Sequence, residues 1–107
     1  MNLKEAIRSI HEQNPPRKGH LNRVESYAVA CGFECGIAES ELVYLRVLAS
    51  TYANPNDIAL PIMDHRMSEC ILAAIMFDCT KSLDPQMLLP QTIEAFNKIE
   101  PLIQPVI

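Results

Sequence analysis

The segment Cys70 to Phe77, CILAAIMF, is apolar at every one of its eight positions. A run of this kind fits a buried strand or the middle of a buried helix, and periodicity alone does not separate them. The two central alanines and the length of the surrounding segment favour a helix, over about His65 to Lys81. Asp64 stands where a side-chain cap would close its first turn. A helix that is apolar on all sides is enclosed by the rest of a fold or sits at an oligomer interface. This reading makes the chain all-α.

Composition agrees. The 107 residues hold three glycines, Gly19, Gly32 and Gly36. All-β folds built on many tight turns need more. The length suits one domain with one core. Upstream, Glu39 to Ala53 reads as a helix with Leu42, Leu45, Val47, Leu48 and Ala49 on a broad apolar face and Glu39 and Glu41 in the first turn, where the helix dipole favours negative charge. His20 to Cys35 gives another, with Leu21, Val24, Ala28, Cys31 and Cys35 at helical spacing,. Gly36 is placed to end it in the left-handed conformation. Gly32, inside the same helix, costs about 1 kcal/mol against alanine and suggests a close helix crossing.

Residues 2 to 13 form a first helix, capped by Asn2 with Glu5 reaching back,. Asn14-Pro15-Pro16 ends it, because a residue before proline is pushed out of the helical region. Asn54-Pro55-Asn56-Asp57 reads as a capped turn and Ile58 to Met63 as a short extended link. Downstream, Asp84-Pro85 starts a turn, and Pro90 opens a fifth helix over about Gln91 to Glu100 with Ile93, Phe96 and Ile99 on one face. The tail from Pro101 to Ile107 reads as proline-broken. The expectation is a single-domain bundle of about five helices.

Net charge is −4, against the basic excess of most nucleic-acid binders. No apolar run reaches the roughly 18 residues of a membrane span. The opening MNLKEAIRSIHEQ carries Glu5 and Glu12 and has no apolar core, unlike a secretory signal,. The expected location is the cytoplasm. Of the four cysteines, Cys31 and Cys35 share a helix face as two zinc ligands can, but structural zinc takes four ligands in tighter pairs,. Buried free thiols are the simpler reading of these two and of Cys70 and Cys79.

The run GHLNRVESYAVACGFECGIAESELVYLRVLAS, Gly19 to Ser50, resembles the opening of HD-domain phosphohydrolases, especially the HD-GYP cyclic-dinucleotide phosphodiesterases. Asp57 to Pro61, DIALP, looks like the tail after that family's paired histidine-aspartate. Ile71 to Ile99 is similar to its late segment. The resemblance spans 19–61 and 71–99. It implies that His20 matches the first metal ligand and Asp78 the second, structural aspartate. It also marks departures: Thr51, Tyr52, Ala53 and Asn54 stand where the histidine-aspartate pair belongs, Ile75 replaces the late ligand aspartate, and the middle section is missing. That family holds metal ions that activate water and neutralise phosphate. One ligand of the set leaves a shortened, catalytically dead relative.

For binding, Arg17, Lys18, His20 and Arg23 cluster at a helix start, a natural place for an anion, against the plainer reading of a solvated basic turn with His20 on an open face. Asn54, Asn56 and Asp57 read as turn residues before a cation site. No serine sits in a G-x-S-x-G setting, and every cysteine lies in an apolar stretch that disfavours thiolate. The sequence therefore points to a non-catalytic regulatory or protein-interaction module without cofactor, binding a protein partner or a second copy of itself, with bacterial signalling as the setting the resemblance implies. The competing reading is a small metal-dependent phosphohydrolase or nucleotide-binding domain with a reduced site near His20 and Asp57.

Overall fold

The computed structural model describes residues 2–55 and 64–103 of the chain. It is all-α: α1 (Leu3–Gln13), α2 (His20–Glu34), α3 (Glu39–Ala53), α4 (His65–Thr80) and α5 (Pro90–Ile103), with no strand among the described residues. The expected link at Ile58 to Met63, and Asn56 and Asp57 before it, lie outside the described residues.

The helix ends follow local chemistry. Asn2 caps α1 by accepting from the Glu5 backbone N–H at 2.9 Å, and its side-chain Nδ2 donates to the Glu5 carboxylate at 3.0 Å, a side-chain pair in place of the backbone bond of a capping box,. Asp64 caps α4 by accepting from the Arg66 N–H at 2.8 Å,. At the end of α2, Gly36 takes φ 82°. The Ile37 N–H donates to the Gly32 carbonyl and the Gly36 N–H to the Phe33 carbonyl, the paired bonds of a Schellman turn,. Lys81 closes α4 at φ 64° without being glycine, and its ammonium lies 5.7 Å from the centre of the Phe77 ring.

α4 is the axis of the fold and packs against each of the other four helices. Every residue from Glu69 to Asp78 is buried. The oligomer-interface alternative for CILAAIMF is thereby corrected, because its whole circumference is covered by this chain's own helices. The Pro101 break is corrected too, since α5 runs through Pro101 to Ile103. Proline cannot donate to the carbonyl four residues back, here that of Asn97. Asn97 and Pro101 are both exposed, so water can take that place and the last turn survives.

α2 and α3 cross closely at Gly32. A Cβ built there would come within 2.6 Å of Leu45 Cδ2, 3.1 Å of Leu42 Cδ2 and 3.3 Å of Ile37 Cδ1. Leu45 is fully buried, so a shift of its side chain must be taken up by the core around it,. Gly32→Val is expected to destabilise by about 1–3 kcal/mol through overpacking, read as a lower midpoint in urea unfolding. Gly32→Ala should fall between, because its helix propensity returns about 1 kcal/mol. A valine variant as stable as the parent would contradict the close crossing.

Candidate functional site

The Pro15-Pro16 turn reverses the chain within a few residues, so the last turn of α1 returns beside the first turn of α2. This brings His11 against His20, nine positions on, with their Nε2 atoms 3.1 Å apart and their rings edge to face. Both are buried, His20 to 3% exposure. The expectation of a solvated His20 is overturned, because α4 lies across this corner and supplies Asp78. The carboxylate of Asp78, 1% exposed, accepts from His20 Nδ1 at 2.6 Å.

Arg23, one turn along α2, grips the same carboxylate with two donors, Nε to Oδ1 and Nη2 to Oδ2 at 3.2 Å. Its Nη1 donates to the Lys18 carbonyl at 2.8 Å. Gly19 makes the room: at φ 85° it holds the loop, and a Cβ there would lie 2.6 Å from Arg23 Nη1,. Arg17 Nη2 donates to the Asp78 backbone carbonyl at 3.4 Å. Of the four basic residues singled out in the sequence, Arg17, His20 and Arg23 thus converge on Asp78, a residue of this chain, while Lys18 is exposed.

The electrostatics follow from this enclosure. Burial pushes the Asp78 carboxyl up, and the bonds from Arg23 and His20 outweigh it, leaving the pKa below its ordinary value,. The Arg23 guanidinium is raised in return by its bond to Asp78. His11 is lowered, first by burial and then by the neighbouring His20. With Asp78 ionised, the network assigns His20 Nδ1–H as donor to Asp78, and a single N–H lies between His11 Nε2 and His20 Nε2,. His20 Nε2 therefore faces His11, not solvent.

His11 itself borders a cavity of about 450 Å³ together with Lys4, Arg8, Thr51, Tyr52 and Asn54. Thr51, Tyr52 and Asn54 come from the segment that replaces the resembled family's ligand pair. One ring nitrogen of His11, one of His20 and Sγ of Cys79 lie within 4.8 Å of one another, with the two Nε2 atoms 3.1 Å apart. Two imidazoles bound to one tetrahedral zinc at about 2.0–2.1 Å hold their nitrogens roughly 3.3 Å apart, close to the spacing here. His20 on Asp78 also has the carboxylate support that metal-binding histidines usually carry. The Cys79 thiol is pushed up to about 11, by burial first and then by the Asp78 charge.

Sequence reasoning missed His11 because no ligand spacing joins it to His20. The one signal was the short proline turn between two helices. It also missed Cys70 as a neighbour of Cys31 and Cys35, since α4 alone decides that meeting. No protein-family model, no curated protein and no solved structure matches this chain.

Proposed function

We propose that this chain is a non-catalytic helical module that works by binding a protein, in the first instance a second copy of itself. The observation that carries this reading is the outer face of α3. Val43, Tyr44 and Val47 are 71%, 49% and 49% exposed. Spaced by one, three and four positions, they lie side by side on the helix surface. Exposed Glu39 and Glu41 stand one turn before them, and apolar surface edged by charge is typical of contact sites. The commitment of His20 and Arg23 to the Asp78 carboxylate supports a structural task for the polar cluster. Signalling is the setting that the family resemblance suggests.

The test is light scattering on size-separated protein over a range of concentrations, with the double variant V43E/V47E beside the parent. The expected result is concentration-dependent association in the parent that the variant loses. A strict monomer throughout, or association unchanged in the variant, overturns the reading.

A metal-dependent or nucleotide-binding domain is the second reading, favoured by the spacing of His11, His20 and Cys79. Asp57, which that reading also uses, lies outside the described residues. Elemental analysis of the purified protein with a nucleotide thermal-shift screen separates the two. Metal bound in the parent and lost in His11→Asn supports the second reading, and no metal with no shift removes it.

A further inference from the structure

Three of the four cysteines meet at one place away from this cluster. Cys31 and Cys35 lie one turn apart at the end of α2, and Cys70 comes from α4. All three sulfurs lie within 4.8 Å of one another, with Cys35 and Cys70 at 4.0 Å. No disulfide joins them. Three thiolates around an ion at about 2.3 Å hold their sulfurs roughly 4.0 Å apart in a plane, or about 3.8 Å apart in a tetrahedron. The cluster is within a small contraction of that geometry.

We propose that Cys31, Cys35 and Cys70 form a three-thiolate site for a soft divalent metal ion of the zinc class. Sulfur ligands select such ions over magnesium or calcium. Cys31 and Cys70 are fully buried, and Cys35 is half-buried at the edge of a cavity of about 440 Å³. An ion among the three sulfurs is therefore reached past Cys35, and a fourth ligand comes from the cavity side. Glu34, His65, Arg66 and Glu69 line the same cavity.

Charge favours a cation here. The sulfurs sit at the C-terminal end of α2, where the helix dipole attracts positive and repels negative charge. Three bare thiolates would be costly at that position, and a divalent ion reduces their sum to a single negative charge. The Arg66 guanidinium stands close by, with Nη1 3.5 Å from the Gly36 carbonyl. It draws the Cys35 thiol down, against the burial that leaves it at about 11. The Cys31 thiol is lowered by its bond with Cys70, which is raised by the same bond. Glu34 and Glu69 act the other way on Cys31, raising it. Metal must therefore displace protons from the thiols, and affinity falls as pH is lowered.

The test is titration of the reduced full chain with Co²⁺, followed by displacement with Zn²⁺. The expected result is one equivalent of cobalt with thiolate-to-metal charge-transfer absorption of three-sulfur intensity, bleached by zinc. Cys35→Ser, at the half-exposed position, should fold as the parent does by circular dichroism and lower cobalt affinity by at least about tenfold. Cys70→Ser should abolish the three-sulfur band. No charge-transfer band in the reduced protein overturns the proposal. A one-sulfur band that survives in Cys35→Ser also overturns it, by placing the metal at His11, His20 and Cys79 instead.

Discussion

Asp78→Ala is expected to lose about 3 kcal/mol or more of folding stability, within the roughly 3–5 kcal/mol that follows removal of one partner from a buried ion pair. The alanine leaves Arg23 Nε and Nη2 without their carboxylate and leaves His20 Nδ1 without an acceptor. The Arg23 side chain is 32% exposed and can hydrate in part, which sets the loss toward the lower end. For a domain whose total stability is on the order of 5–15 kcal/mol this is severe. Asp78→Asn keeps the shape and removes the charge, and should fall between parent and alanine. Urea unfolding measures all three. A loss under about 1 kcal/mol for the alanine variant would show that the ion pair is not what holds α2 to α4.

The same contacts set the response to acid. The folded-state pKa of Asp78 lies below the ordinary 3.8, so its stabilisation is complete above that value and is lost as pH falls through the folded pKa. His11 acts in the same direction from a higher pH. Its folded pKa lies below 6.5, so the unfolded chain takes up a proton first and stability declines as pH falls from about 6.5. Unfolding free energy should therefore drop in two stages on acidification. His11→Gln should remove the upper stage and leave the lower one.

Phe96→Ala is the second large effect, expected to cost about 3–5 kcal/mol. Phe96 is fully buried. Its ring centre lies 5.1 Å from that of Phe77 on α4 and 6.3 Å from that of Tyr27 on α2, the latter edge to face. One side chain thus joins α5 to both central helices, and truncation leaves a cavity where the three rings meet. Because α5 packs only against α2 and α4 among the described helices, while α4 packs against all four others, the loss should be local first: hydrogen exchange in 90–103 should speed up more than in α4. Uniform protection across α5 and α4 in the variant, or a loss under about 1 kcal/mol, would contradict this account.

Much of the fold was legible before any coordinates. The five helices fall where apolar spacing puts them, and the Asn2, Asp64 and Gly36 ends form as expected, because each depends on atoms within a few residues. Gly32 was readable as a crossing because glycine in a helix interior costs stability that only close packing offsets. Pro101 was misread for a tertiary reason, since an exposed last turn tolerates the missing bond that a buried one would not.

The candidate sites were far less legible. His20 was singled out by its place beside Arg17, Lys18 and Arg23, yet its partners His11 and Asp78 lie nine and 58 positions away. Cys70 reaches Cys35 across 35 positions. By itself the sequence determined the helices, their ends and the apolar core of α4, because hydrophobic period and capping are local properties. Only the tertiary structure decided that His20 and Arg23 turn onto the Asp78 carboxylate and that three thiols converge. Those meetings depend on the angle and register at which α1, α2 and α4 pack, and distant side chains acting together set that geometry.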